Sequence, residues 1–353
     1  MKVTRLYLYP IKALRPACIE RVRVNQQGFE HDRHFMLVKV EADGSLRNVQ
    51  TVHFPEGQRF FQRIEDELIV VTHEPPTSSA APEEGGLRVP LRPDTAGLQT
   101  IDITLMGSTA AAYRMPDEYG GWFSRRLGYE VILIYLGDGK RPVLAHAPGA
   151  SETTASASSG ATGWLASVTS YMAGSQNNKA SSNENSWLTF NEAAPLLVTS
   201  EASLDDVSTR LPGTETMDMM RFRPNIVVDG TDKWDEDFWG ELEIGNGTTN
   251  KNMRLALTAN CGRCLSINID YDTGRAAEGE AGSVLKKLMR DRRVDKGTRW
   301  SPIFGRYAFA LGAGSKQVDA EAASGSDVVA VGDDVVVTRR LQQRDVWTWP
   351  KYD

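Results

Sequence analysis

The chain is poor in cysteine. Its 353 residues hold three, Cys18, Cys261 and Cys264. Three are too few for a disulfide framework, so a reducing compartment is the expectation. Histidine is scarce as well: there are five, scattered, and with Cys18 they supply no second ligand pair for a structural zinc. Long hydrophobic runs are missing, and nothing approaches the roughly 18 apolar residues of a membrane-spanning helix. The first stretch, MKVTRLYLYPIKAL, alternates apolar with polar residues and is broken by Pro10, so no signal peptide is expected. There is no excess of basic charge. A net charge of −6 excludes a global nucleic-acid signature and leaves only local basic pockets.

What is present is the composition of a soluble globular protein, 41% hydrophobic and 24% charged, over a length that suits two ordinary domains or one large one. KVTRLYLY alternates as a strand does. The run IERVRVNQQGFEHDRHFMLVKVEADGSL reads as strand, turn, strand, turn, with Gly28 and Asp43-Gly44 at the turns. ELIVVTH, GLRVPLRP and TIDITLMG follow, so residues 1–110 read as closely spaced antiparallel strands in a barrel or sandwich. EYGGWFSRRLG reads as a helix and YEVILIYLG as a buried strand.

Residues 149–186 are dominated by Ser, Ala, Thr, Gly and Asn and read as a flexible low-complexity insertion. Its island GWLASVTSYM has helical spacing, either a short helix on the protein's own surface or a docking patch. From Trp187 strands return: LLVTS, RFRPNIVVDG, LEIGN, NMRLALTA, CLSINID and DVVAVGDDVVVTRR. Ser200 is the expected N-cap of a helix over Ser203 to Leu211, and GSVLKKLMRDRR is a second helix. DEDFWGELEIG reads as a solvated acidic turn before a strand, with Trp239 in the core.

The sequence LTANCGRCLSINIDYDTG raises the question of chemistry. A lone CxxC is compatible with zinc, with a redox dithiol at a helix start, with two inert thiols, or with one thiolate ligand to a soft metal carried in a cofactor. Arg263, beside Cys264, would hold a thiolate by its charge. Lys12, Arg33 and Arg223 stand in loops or just before strands, where they would anchor an anion. Taken alone, each reads first as an ordinary surface ion pair.

Taken in order, LYPIKAL, DRHFMLV, TSEASLDDVSTRL, RFRPNIVVDG, WDEDFW, CGRCLSINIDYDTG and SPIFGRYAF resemble the MOSC family across residues 7–309. The pattern is similar to the mitochondrial amidoxime-reducing components and to the C-terminal part of molybdenum cofactor sulfurases. The resemblance implies a mainly β (α+β) chain: an N-terminal MOSC β-barrel domain over 1–130, the insertion over 149–186, and a MOSC β-barrel domain with few helices over 187–340. It implies a molybdenum cofactor (Mo-molybdopterin), with Cys264 as catalytic residue and metal ligand. Lys12, Arg33, Arg223 and Asn225 would hold the pterin and its phosphate, with Cys261 and Arg263 beside it.

The chain departs from the family at Ala13, where serine is usual, at Ala193-Ala194, where Thr-Ser is frequent, and at Val52, where arginine is common. The implied activity is reduction of small N-hydroxylated molecules with electrons from an external donor, a cytochrome b5-type protein and its reductase. The alternative is a carrier of molybdenum cofactor or sulfur without redox turnover of its own. It would lack the pyridoxal-phosphate-dependent desulfurase domain of the sulfurases, pyridoxal phosphate binding being a family-level association. A third reading is a β-barrel interaction protein whose metal site has decayed. No nucleic-acid partner and no transmembrane segment are expected. The expected location is cytoplasmic, with peripheral mitochondrial association left open.

Overall fold

The computed structural model describes residues 1–73, 86–148, 187–245, 252–312 and 328–350. The 149–186 insertion and its GWLASVTSYM island lie outside the described residues. The fold is mainly β, as expected, and is organised around one closed barrel.

Seven strands make the barrel, in the order Ile226–Asp229, Leu196–Ser200, Ile303–Leu311, Met253–Gly262, Trp239–Gly245, Asp334–Arg340 and Lys2–Leu8, which pairs back onto Ile226–Asp229. Closure leaves no edge among these seven. Neighbours run antiparallel except Leu196–Ser200 against Ile226–Asp229, which are parallel. A parallel pair needs a crossover, and the helix Glu201–Ser208 lies within it. Ser200 caps that helix, its side chain accepting from the Ser203 backbone N–H at 3.2 Å. Alternate residues of the strands fill the barrel: Val3, Leu6, Leu8, Val198, Ile226, Val228, Leu242, Ile244, Leu255 and Leu257 form one core.

The strand that closes the barrel is the first in the chain. Residues 2–8 therefore belong in space with strands contributed from beyond residue 195. A few residues on, Arg21–Asn25 pairs with Val328–Ala330. Gly28 adopts φ +94°, and a Cβ there would stand 2.9 Å from the Pro195 carbonyl oxygen, so only glycine lets this turn approach the entry to Leu196–Ser200.

The N-terminal half also holds a three-stranded sheet, Leu87–Pro90, Leu68–His73 and Phe60–Glu65, and a larger second sheet. Thr100–Leu105, Ser108–Arg114, Val131–Tyr135, Phe35–Val40 and Ile11–Lys12 lie side by side, with Leu46–Asn48 on the Phe35–Val40 strand. FMLV and VILIY read as unbroken apolar runs because this sheet is buried on both faces. Phe35, Leu37, Val131 and Leu133 face one core with Phe60, Val71 and Phe123 of the helix Asp117–Leu127. Met36, Val38, Ile132 and Ile134 face another with Ile103, Ala112 and Phe190.

Two local expectations are corrected. DEDFW is not a solvated turn: Asp235–Phe238 is a 3-10 turn in which Glu236 and Asp237 are fully buried, while Trp239 is core as expected. Asp237 is tolerated there because Arg292 grips it with two bonds, at 2.8 and 2.9 Å, and Arg344 adds a third at 2.7 Å. CLSINID is not one strand. Cys264 precedes a 3-10 turn over Leu265–Asn268, and only Ile269–Asp270 is extended.

Glu236 has one carboxylate oxygen on the Ser200 and Ser203 hydroxyls, at 3.1 and 2.8 Å, and its other oxygen has no hydrogen-bond partner. Burial first, and then the neighbouring Asp237 charge, push it up to about 7 from 4.5, against the pull of Ser203 and Arg292. A folded pKa above the unfolded one means that stability falls as pH rises from about 4.5 through 7, where only the unfolded chain has lost the proton. Glu236→Gln should therefore raise the unfolding free energy at pH 8 by up to about 3 kcal/mol. Most of that gain should vanish at pH 5, as chemical denaturation at the two pH values would measure.

Candidate active site

A cleft of about 390 Å³ opens where the barrel end meets the N-terminal sheet. Lys12, Arg33, Arg223, Asn225, Cys261, Arg263 and Cys264 all line it. All seven residues singled out in the sequence are thus brought together, although they span more than 250 positions.

Each is delivered by the end of an element. Lys12 ends the short strand Ile11–Lys12, Arg33 stands just before Phe35–Val40, and Asn225 just before Ile226–Asp229. Cys261 is the penultimate residue of the strand Met253–Gly262, and Cys264 lies two positions beyond it. Backbone strain gathers here. Eight described non-glycine residues have positive φ, and four of them, Ala13, Arg33, Met106 and Arg223, line the cleft. Left-handed backbone costs a side-chain-bearing residue roughly 1–2 kcal/mol, so this concentration marks a place where position outweighs stability.

Tyr9 and Asp32 hold the two central arginines. The Arg33 and Arg223 guanidinium groups stand 4.3 and 4.4 Å from the centroid of the Tyr9 ring. The fully buried Asp32 ion-pairs with Arg33 and accepts the Tyr9 backbone N–H at 2.9 Å. Tyr9 donates its hydroxyl to the Pro224 carbonyl at 3.1 Å, next to Arg223. Burial, against the pull of both arginines, holds the Tyr9 phenol well above its ordinary value, so it remains neutral. Arg223 donates to the Leu14 carbonyl through both terminal nitrogens, at 3.1 Å each, and to Gln58 at 3.2 Å. Asn225 joins the halves: its side chain donates to the Tyr7 carbonyl and accepts from Leu197 N–H and Arg33, each at 3.3 Å.

Lys12 is buried, donates to the Phe190 carbonyl at 2.8 Å and pairs with Glu192. Burial lowers its pKa, which Glu192 partly offsets. Burial would raise Glu192, but Lys12, Arg141 and Arg33 together hold its carboxyl below the usual value. Arg141, fully buried, fixes this segment by donating to the carbonyls of Asn191 and Glu192 at 2.8 and 3.0 Å.

The cysteines differ. Cys261 is buried and accepts from Arg263 at 2.9 Å, while Cys264 is exposed and shares a hydrogen bond with the Ser266 hydroxyl at 3.2 Å. Arg263 thus hydrogen-bonds Cys261, while its charge also acts on Cys264. Its Nη2 donates to the Phe222 carbonyl at 2.6 Å, and its buried Nε has no hydrogen-bond partner. The backbone is extended at both cysteines. All three cysteines are free thiols. Among the described residues no cluster of three or more His, Cys, Asp or Glu is placed to hold a metal ion.

Sequence reasoning missed Asp32, Glu192, Arg141 and Tyr307. Asp32 carried a signal, since it precedes Arg33 in DRHF. Tyr307, half-buried beside Cys261 and raised well above its ordinary value by desolvation and by that thiol, stands in the quoted FGRYAF. Glu192 and Arg141 carry none, because only tertiary contact gives them a role. Ala13, Val52 and Ala194 line the cleft, so the three departures fall on its wall, whereas Ala193 is buried elsewhere.

Comparison with known proteins agrees with this architecture. A family model described as MOSC N-terminal beta barrel domain matches residues 1–130, and one described as MOSC domain matches residues 185–336. Mitochondrial amidoxime reducing component 2 of Macaca fascicularis is 36% identical over 136 residues, 38% of either chain. The rat (Rattus norvegicus) protein of the same name is 25% identical over 324 residues, 90% of this chain and 81% of its own. Molybdenum cofactor sulfurase of Oryza sativa subsp. japonica is 32% identical over 100 residues, 26% of this chain and 11% of its own. The chain thus spans well under half of the macaque relative it matches. Among the described residues no helix is long and apolar enough to cross a membrane.

Removing the carboxylate that holds Arg33 should be costly. Asp32→Asn leaves a guanidinium without its buried partner, an expected loss of about 3 kcal/mol in denaturant unfolding of the cofactor-free protein. Glu30→Gln, at a neighbouring surface acid, should change little.

Proposed function

The chain joins a MOSC N-terminal beta barrel domain to a MOSC domain, and from that premise we propose that it is a molybdenum-cofactor reductase of N-hydroxylated small molecules. The observation that carries the reading is the donor set of one cleft: an exposed thiol, Cys264, beside four cationic side chains, Lys12, Arg33, Arg223 and Arg263.

The residues fit such a group. A thiolate is a soft ligand, suited to a transition metal held in a sulfur-rich cofactor. Guanidinium and ammonium groups suit a phosphate. The unpartnered buried Nε of Arg263 supports a ligand whose acceptor completes the set. In this reading Cys264 ligates the metal. Lys12, Arg33, Arg223 and Asn225 hold the pterin and its phosphate, and Arg263 and Cys261 brace the wall beside them.

The bound cofactor supplies two-electron chemistry that removes oxygen from nitrogen, with electrons from an external donor such as a cytochrome b5-type protein and its reductase. The balance is R–C(=NOH)NH₂ plus two electrons and two protons giving R–C(=NH)NH₂ and water. The chain's own part is electrostatic and positional. Asp32 and Tyr9 fix Arg33 and Arg223 before a ligand arrives, so no reorganisation is needed on binding. Asn225 sets the distance between the barrel and the N-terminal sheet. Ser266 shares a hydrogen bond with the Cys264 sulfur and orients it.

Ala13, Val52 and Ala194 favour a second reading, in which the cofactor is held with fewer polar contacts and handed on to an acceptor protein.

Reduction of benzamidoxime by reconstituted protein and a reduced viologen dye tests the proposal. Wild type should turn over, and Cys264→Ala should fall by about 100-fold or more, some 2.7 kcal/mol. Equal rates for the two proteins would sink the reductase reading, and transfer of cofactor to an apo-acceptor without turnover would favour the carrier.

A further inference from the structure

One strained residue at the cleft has no place in the cation cluster. Met106 and Gly107 form the two-residue turn between Thr100–Leu105 and Ser108–Arg114, with φ of +49° and +81°. Positive φ at both central positions makes this a type I′ turn, which favours Asn, Asp or Gly at its first position. A methionine breaks that local rule, and such breaks gather where function overrides folding. Met106 is not there to fill a core. It belongs to none of the buried clusters, its exposure is 41%, and it lines the cleft that holds Cys264.

The turn is held from outside by the C-terminal segment. The Trp349 indole N–H donates to the Met106 carbonyl at 3.2 Å. Trp349 stacks on Trp347, with ring centroids 5.4 Å apart and planes 5° from parallel. The Trp347 backbone N–H bonds the buried Asp295 at 3.0 Å, and its ring lies 4.9 Å from His146 and 5.9 Å from Tyr307, itself on the cleft wall. Asp345, just before, pairs with the fully buried Arg306. A strap anchored on the barrel thus ends on the tip of a hairpin from the other sheet.

We propose that Met106 is the specificity-determining contact for the apolar body of the substrate, with Trp349 as the positioning residue that keeps the turn over the cleft. The thioether is flexible and polarisable, so it packs on rings and chains of varied shape. The proposal rests on the reductase reading for its substrate class, yet it concerns binding and can be tested without turnover.

The experiment uses the full chain loaded with cofactor and two probes, benzamidoxime with its ring and N-hydroxyurea with none. Dissociation constants are measured by calorimetry for wild type, Met106→Asn and Met106→Leu, with thermal unfolding alongside. Asn is the residue the turn prefers, so Met106→Asn should unfold at the same temperature or higher. It should bind benzamidoxime about 10-fold more weakly and change N-hydroxyurea by less than about 2-fold. Met106→Leu should keep most of the ring preference, and Trp349→Phe should move the ratio in the direction of Met106→Asn. Ring preference without turnover in wild type would remove the reductase reading and leave this inference standing. An unchanged ratio in Met106→Asn, or no binding of benzamidoxime to wild type, would overturn it.

Discussion

The constraint on which the site depends is the crowding of like charge. Lys12, Arg33, Arg223 and Arg263 line one cleft, and the acids set against them are the buried Asp32 and the partly exposed Glu192. Desolvating a charge costs several kcal/mol unless it is paired and hydrogen-bonded. The fold meets this cost with acceptors that carry no net charge: the carbonyls of Leu14, Phe190 and Phe222, the Gln58 and Asn225 amides, and the face of Tyr9. Positive charge is thereby fixed in place and left incompletely neutralised, which is what an anionic ligand requires.

Topology makes the crowding feasible. The first strand, Lys2–Leu8, closes a barrel whose other strands come from beyond residue 195, so the chain passes from the barrel into Tyr9, Pro10 and the Ile11–Lys12 strand within four residues. Tyr9 therefore sits at the joint between two sheets. Arg33 reaches it from the N-terminal sheet and Arg223 from the loop leading to Ile226–Asp229. The strained backbone at Ala13, Arg33 and Arg223 follows from bringing three loops to one point.

Much of this was legible in the residues. CGRC, DRHF and RFRPN stand at element ends, where a basic side chain or thiol is free to face a ligand, and their order across the chain pointed to the family. The same reading failed where burial, not pattern, decides. DEDF looks solvated because four consecutive residues include three acids, yet Arg292 and Arg344, over fifty residues away, make burial of Asp237 tolerable. CLSINID has a strand's composition, and the turn that replaces it depends on backbone bonds that no propensity encodes. Arg263 acts on Cys264 by charge, as its position in the sequence suggests, but its hydrogen bond goes to Cys261. The C-terminal tryptophans gave no signal, since their partners, Met106, His146 and Tyr307, lie far off in sequence.

The account stands on the claim that this cleft holds a phosphate-bearing, sulfur-ligated metal cofactor. The direct measurement is molybdenum and pterin content of the full chain purified from a host that makes the cofactor, with Arg223→Ala and Cys264→Ala beside it. The account predicts about one of each per wild-type chain, both reduced in Arg223→Ala, and molybdenum lost in Cys264→Ala. Wild-type protein with neither molybdenum nor pterin would contradict it.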